Sequence, residues 1–174
     1  MNPIVDRLRP ALPGLVLAIL TVLFGQGLGL AFGVAEDRIK DRLKGDAAAV
    51  LETVYAGGQA KADAVTSKAW SYMKRAHLHA GGMGTTALAL ATLVALLGVG
   101  ALATRLVGVG LGLGGLGYSV FWMWAGLRAP GLGSTGAAKA SLEWLAMPSA
   151  GAFVLCTLAA LALVIRALTR RASS

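Results

Sequence analysis

Four long apolar runs dominate the pattern of hydrophobic and polar positions along this chain. Each has about the 20 residues that a helix needs to cross the hydrocarbon core of a bilayer. The runs are residues 11–35, 80–104, 106–127 and 149–168. Arg105 alone separates the second run from the third, which predicts a tight hairpin between those two spans. The pattern predicts an all-α fold: a four-helix transmembrane bundle with a charged extramembrane helical hairpin between the first and second spans.

The first run also has features of a secretory signal peptide. Arg7 and Arg9 precede it, and Ala31 and Gly33 could serve as the small residues before a cleavage point. A signal peptide has an apolar region of about 7–15 residues, however, and this run is far longer. We therefore expect residues 11–35 to be retained as a true membrane span.

Residues 36–79 interrupt the apolar pattern and carry most of the charge. Apolar residues recur at helical spacing on both sides of Gly57–Gly58. They are Ile39, Leu43, Ala47, Val50, Leu51 and Val54 on the first arm, and Ala62, Val65, Ala69, Trp70 and Met73 on the second. We predict two amphipathic helices that turn at Gly57–Gly58 and project from the membrane. The arms could instead lie flat on the lipid surface, but their mixed charges are more typical of a solvated face.

Glycine follows a regular pattern in the third run. Gly108 and Gly112 lie four residues apart, as do Gly110 and Gly114, and the two pairs fall on opposite sides of one helix. Such pairs allow helix backbones to approach closely where lipid supplies no hydrophobic drive for association. Glycine is common in membrane helices generally, but its density here predicts a central third helix packed on two sides.

Composition supports a membrane protein and excludes several other classes. Of the 174 residues, 56% are hydrophobic and 14% are charged, with a mean hydropathy of +0.70. A soluble domain has about 25% charged residues, so neither a soluble globule nor a disordered chain fits. Cys156 is the single cysteine, which rules out an internal disulfide or a multi-cysteine metal site. The net charge of +8 includes arginines that flank the spans, and we expect no nucleic-acid binding.

The predicted orientation of the chain in the membrane depends on which basic residues are counted. One face, with both termini and the turn between the second and third spans, is rich in arginine and nearly free of acids. Its basic residues are Arg7, Arg9, Arg105, Arg166, Arg170 and Arg171. A strict count of Lys and Arg instead favours the hairpin inside, but its basic residues are interspersed with acids. We expect an integral protein of a bacterial inner membrane with cytoplasmic termini at 1–10 and 169–174, and a loop with an interfacial segment at 128–148.

The two histidines, His77 and His79, lie where the second span begins. Antiparallel spans bring the end of the third and the start of the fourth to the same side. All four tryptophans map to that side, as does Glu143; the tryptophans are Trp70, Trp122, Trp124 and Trp144. We expect His77, His79, Trp122, Trp124 and Glu143 at one membrane boundary.

The chemistry of this end suits a cofactor. Imidazole, thioether and carboxylate groups bind transition metals, and histidine or methionine binds haem iron. His79 and Met83 share a helix face, whereas His77 lies about 200° round the helix from His79. The candidate cofactor-binding residues are His79, His77 and Met83; the candidate metal ligands are His79, Met83 and Glu143. His79 is the better candidate because it lies deeper in the span, and His77 is more readily explained as a solvated group.

A purely structural explanation of the same residues is also open. Tryptophans are enriched at membrane interfaces, histidines near a helix end are often solvated, and Glu143 could be a charge in the first turn of a helix. Gly81, Gly82 and Gly84 beside His79 would leave room for a flat macrocycle or for a neighbouring helix.

The segment Ala76-His77-Leu78-His79, followed by Gly84, resembles the His-x-His opening of the second helix in relatives of haem–copper oxidase subunit I, notably the nitric oxide reductase and cbb3-type branch. The resemblance implies that His77 or His79 binds a low-spin haem near the outer face. That family has about twelve spans and further histidines, which this chain lacks, so a complete oxidase site is excluded. A small relative that binds one haem would fit the resemblance.

Two functions follow from these observations. The first is a small integral membrane subunit or scaffold that binds protein partners through its hairpin and glycine-rich helix faces. The alternative is a haem- or metal-binding electron-transfer protein that uses the His77–Met83 segment. No phosphate-binding loop, nucleophile elbow or zinc-protease motif occurs, so we expect no catalytic residue and favour a protein that is not an enzyme. The expected partners are the lipid bilayer and other membrane proteins or a second copy of the chain.

Overall fold

The computed structural model describes residues 3–171, and these form helices and short connections without any strand. The helices are α1 (Pro3–Leu8), a 3-10 turn (Arg9–Ala11), α2 (Leu12–Ala48), α3 (Leu51–Tyr55), α4 (Gln59–Leu97), α5 (Ala101–Arg128), α6 (Thr135–Ala140) and α7 (Glu143–Arg171). Of the expected C-terminal tail, residues 172–174 lie outside the described part, as do the side chains of Arg170 and Arg171. The all-α prediction is confirmed.

Within residues 3–171, four helices are long and apolar enough to cross a membrane: α2 together with the turns before it, α4, α5 and α7. Their apolar faces remain exposed over much of their length, most of all on α7 and α2. Exposed apolar helix surface on this scale is expected where lipid is the solvent. The fold is therefore that of an integral membrane protein with four candidate spans.

The connection between the second and third long helices differs from the expected one. The helix break lies at residues 98–100 rather than at Arg105, which belongs to the second turn of α5. Gly98 and Gly100 adopt φ values of +68° and +112°, which an L side chain tolerates poorly. A charge does not by itself end a helix, whereas two glycines in the left-handed region do.

The fourth long helix also begins earlier than the apolar run indicates. α7 starts at Glu143 and contains Pro148, whereas the sequence pattern places residues 128–148 in a loop and interfacial segment. The helix α6 occupies part of the same stretch, and the Ser134 hydroxyl caps it by accepting hydrogen bonds from the Gly136 and Ala137 amides. Proline is tolerated in membrane helices because neighbouring groups satisfy the freed carbonyl.

Helix extends through most of the charged segment at 36–79. α2 continues to Ala48 across a kink at Ala35, where φ is −132° and ψ is 24°, at the end of the expected first span. The chain reverses at Ala56 and Gly57, which both have positive φ. α4 then runs from Gln59 without interruption into the second apolar run. The segment is thus helical on both sides of the turn that the sequence indicates.

The central helix is α5, which packs against α2, α4 and α7. An added Cβ on Gly112 would lie 2.5 Å from the Leu17 Cβ of α2, and one on Gly114 would lie 2.8 Å from the Phe153 amide nitrogen of α7. Each of the two glycine-bearing faces of α5 therefore packs against a different helix. The prediction of a central third helix packed on two sides is confirmed, and the physical reason is close backbone approach.

Candidate functional site

His77 links α4 to α2 through a hydrogen bond. Its Nδ1–H donates to the Gly25 carbonyl oxygen at 2.8 Å, and since a carbonyl only accepts, Nδ1 carries the proton in this contact. The half-buried imidazole also lies 6.2 Å from the Phe32 ring, centre to centre. The interpretation of His77 as a solvated group is therefore wrong, because this side chain turns towards α2 rather than towards water.

Two glycines of α2 let α4 approach closely, Gly29 at the His77 ring and Gly25 at Ala80. An added Cβ on Gly25 would lie 2.9 Å from the Ala80 Cβ, and one on Gly29 would lie 2.8 Å from the His77 Cε1. The two glycines are one helical turn apart, so together they form a notch in one face of α2. The imidazole lies against Gly29, which brings its Nδ1 within reach of the Gly25 carbonyl oxygen.

We expect the His77 hydrogen bond to contribute measurably to the stability of the bundle. His77→Phe keeps an aromatic ring beside Gly29 but has no donor, so it should lower the free energy of unfolding by about 1 kcal/mol. His77→Gln keeps a donor and should lose less. SDS titration of the protein in mixed micelles, followed by circular dichroism, measures both. Equal stability of His77→Phe and the unsubstituted protein would show that this contact contributes nothing.

His79 faces α5 and is packed among aromatic rings. Its imidazole lies 5.1 Å from the Tyr118 ring and is stacked on Trp122 at a centroid distance of 6.0 Å. Met83, one turn further along α4, also faces α5, since an added Cβ on Gly115 would lie 3.4 Å from the Met83 Cβ. His79 and Met83 thus both point towards the central helix, and both side chains are half-buried.

Trp122 is the centre of this aromatic cluster. The sequence pattern placed Trp122 and His79 at one end of the bundle but did not identify Tyr72 and Arg75 as their neighbours. Its ring contacts Tyr72 edge to face at 4.8 Å and lies 5.0 Å below the Arg75 guanidinium carbon. The indole Nε1–H is buried without a hydrogen-bond partner among the described residues. Tyr72, Arg75 and His79 recur at i, i+3 and i+7 on α4, so one helix face presents them all to α5. This spacing is the feature of the sequence that could have indicated the cluster.

The remaining tryptophans lie at the same end of the bundle. Trp124 of α5 and Trp144 of α7 meet edge to face with centroids 6.3 Å apart. Trp70 packs edge to face on Phe32 at 4.9 Å, next to the His77 contact. These ring contacts join the corresponding ends of all four long helices. The end expected to collect the aromatic residues therefore does so.

The structure does not support haem or metal binding at this end. Among residues 3–171, no group of three or more His, Cys, Asp or Glu side chains is close enough to hold a metal ion. Glu143 is exposed on the first turn of α7. The room beside Gly84 is filled by α2, because an added Cβ there would lie 2.8 Å from Val22 Cγ2. The sequence left open whether Gly84 makes room for a flat macrocycle or for a neighbouring helix, and the structure shows a neighbouring helix.

A groove lies between the charged parts of α2 and α4. Its volume is about 350 Å³, and its lining combines an apolar floor with charged and hydroxyl groups: Lys40, Leu43, Lys44, Asp63, Thr66, Ser67 and Trp70. Leu43 is fully buried beneath it, and the Lys40 ammonium lies 5.5 Å over the Trp70 ring. Lys40 also pairs with Glu36, and Lys44 with Asp41 at 3.7 Å.

Tyr55 holds the end of this region against the connection that follows α5. Its buried hydroxyl donates to the Pro130 carbonyl oxygen at 2.7 Å. Burial raises the pKa of the Tyr55 phenol, so the donor form persists further into the alkaline range. An added Cβ on Gly133 would also collide with Val54, which shows how closely the two turns approach.

Comparison with known proteins provides no relative for this chain: no family model, no curated protein and no solved structure matches it. The resemblance of the His-x-His segment to haem–copper oxidase relatives stays a prediction.

Proposed function

We propose that this protein is a small integral membrane subunit or scaffold whose charged helical hairpin, residues 36–79, binds a protein partner outside the membrane. The observation that carries the proposal is the open groove between the two arms. An aromatic and apolar floor with a rim of both charge signs is the usual composition of a protein interface. Grooves between two helices commonly accept an apolar side chain from a partner helix or loop.

The two arms form a fixed platform for such a partner. Leu43, Ala69 and Met73 belong to one buried cluster between them, and Ala47, Tyr55 and Ala62 form a second cluster near the turn. The Tyr55 hydrogen bond to Pro130 ties the turn to the rest of the bundle. A groove that is rigid before binding loses less conformational entropy when it is filled.

The glycine-rich faces of α5 are less suitable for a partner. Gly108 and Gly112 pack on α2, while Gly110 and Gly114 pack on α7. These small residues already serve contacts within the chain, so the partner surface that we propose is the groove alone. Its rim places Lys40 and Lys44 on one arm and Asp63 on the other. A complementary partner would present an apolar side chain flanked by both an acid and a base.

The proposal predicts site-specific cross-linking from the groove. A photoreactive amino acid at Ser67, on the groove rim, should capture one discrete protein in native membranes. The matched control is the same amino acid at Lys68, which is exposed, does not line the groove and lies about 100° further round α4. Lys40→Glu should weaken capture from position 67, because it reverses one charge of the rim.

The outcomes of this experiment separate the alternatives. An adduct of twice the chain mass would identify a second copy as the partner. Equal labelling from positions 67 and 68, or labelling of lipid alone from both, would contradict the proposal. An absorption spectrum and metal analysis of the same native preparation test the electron-transfer alternative, which requires a Soret band or bound metal that His79→Ala removes.

A further inference from the structure

A second cleft lies at the opposite end of the bundle, where the 3-10 turn at Arg9–Ala11 meets the first turns of α5. Its volume is about 460 Å³, and it is lined by Arg9, Pro10, Ala101, Leu102 and Arg105. Both arginines are exposed. Neither forms an ion pair with any carboxylate in the described part of the chain. Two guanidinium groups from different elements therefore line one cleft without an anion between them.

The surroundings of this cleft are also positive. A neighbouring cleft shares Pro10 and Ala101 with it and adds Asp6 and Arg7 to the lining. The Arg7 Nη1–H donates to the Leu96 carbonyl oxygen at 2.9 Å, near the end of α4. Asp6 is the one carboxylate that lines either cleft, against three arginines. The net charge of the two linings thus favours an anionic ligand.

The cleft opens beside strongly apolar surface. Leu102 is 71% exposed, and Leu106, one turn along α5, is 61% exposed. In a chain with four candidate membrane spans, such leucines are placed to contact acyl chains. Positive charge that can bind a phosphate therefore lies next to apolar surface that can contact an acyl chain. This arrangement is complementary to a phospholipid, which carries both groups.

We propose that Arg9 and Arg105 bind the phosphate group of an anionic phospholipid from the surrounding bilayer. Arginine matches phosphate geometry because its planar guanidinium can donate two parallel hydrogen bonds. A soluble phosphate shares this headgroup chemistry but makes no use of Leu102 and Leu106. The bound lipid would join the segment before α2 to the start of α5.

Native mass spectrometry tests the proposal on the full-length protein. The protein, in detergent with equimolar phosphatidylglycerol and phosphatidylcholine, should retain phosphatidylglycerol. Each arginine near a membrane surface strengthens binding of anionic lipid about fivefold, so Arg9→Gln/Arg105→Gln should weaken retention about 25-fold. The matched control is Arg38→Gln/Arg42→Gln, which removes the same charge from exposed positions on α2, away from the cleft.

Each outcome supports or overturns the proposal. Loss in the Arg9/Arg105 variant with retention in the control supports it. Equal loss in both variants would mean a general charge effect and would overturn it, as would equal retention of phosphatidylcholine. Inorganic phosphate that displaces the lipid at comparable concentration would assign the cleft to a soluble anion instead. If the glutamine variant fails to fold, Arg9→Lys/Arg105→Lys keeps the charge and should weaken retention only a few-fold.

Discussion

Replacing Gly14 with alanine should destabilise the bundle by about 3 kcal/mol. Gly14 of α2 lies against Gly108 of α5, and an added Cβ would lie 2.5 Å from the Gly108 Cα. The obstacle is backbone rather than a flexible side chain, so relief requires α2 and α5 to separate. Separation would also loosen the contacts of Gly112 with Leu17 next to it. SDS titration in mixed micelles, followed by circular dichroism, measures the change in unfolding free energy.

The control for this substitution is Gly27→Ala on the same helix. No atom would lie within 4 Å of a Cβ at Gly27. Because alanine is the better helix former, Gly27→Ala should leave stability unchanged or raise it by up to about 1 kcal/mol. If Gly14→Ala were as stable as Gly27→Ala, the close approach of α2 and α5 would be refuted.

Replacing Trp122 with alanine should cost about 3 kcal/mol, because it removes the centre of the aromatic cluster. Trp122 is 9% exposed and contacts Tyr72, His79 and the Arg75 guanidinium. Its indole N–H has no partner among the described residues, so Trp122→Phe removes no hydrogen bond. We therefore expect Trp122→Phe to retain most of the stability that Trp122→Ala loses. Circular dichroism is the suitable readout, since the substitution also removes a fluorophore.

Trp144→Ala provides the comparison at the same end of the bundle. Trp144 is 64% exposed and contacts Trp124 edge to face. Its loss should cost only about 1 kcal/mol, since little of the side chain is buried and a single aromatic pair contributes about 0.5–1.5 kcal/mol. A Trp144→Ala variant as unstable as Trp122→Ala would mean that the aromatic end as a whole, rather than the packing around Trp122, determines stability.

The two ends of the bundle differ in chemistry. The aromatic end joins α2, α4, α5 and α7 through ring contacts and leads into the charged arms with their groove. The other end has arginines and the glycine turn at 98–100. We propose a protein partner for the first end and an anionic lipid for the second. The two proposals are independent, since their test variants lie on separate surfaces.

Much of the fold could be predicted because it depends on local properties of the chain. Length and apolarity indicate four long helices, and a 3.6-residue period in residues 36–79 indicates helix on both sides of Gly57. The alternation of Gly108, Gly110, Gly112 and Gly114 indicates a helix with two small-residue faces. These features need no knowledge of which helix packs against which, since lipid thickness and backbone hydrogen bonding require helical spans.

Other features were decided by tertiary contacts and could not be predicted in this way. A hydropathy pattern carries no information on backbone φ angles. It therefore predicted the turn between the second and third spans at Arg105, whereas the turn lies at Gly98 and Gly100. The partner of His77 is the Gly25 carbonyl, 52 positions away, and only the packing of α4 on α2 brings the two together. The position of Arg75 over Trp122 likewise depends on the rotation of α4 against α5. The sequence determined which segments are helical because that preference is local, and the tertiary structure decided which side chains meet because helix pairing and rotation are not.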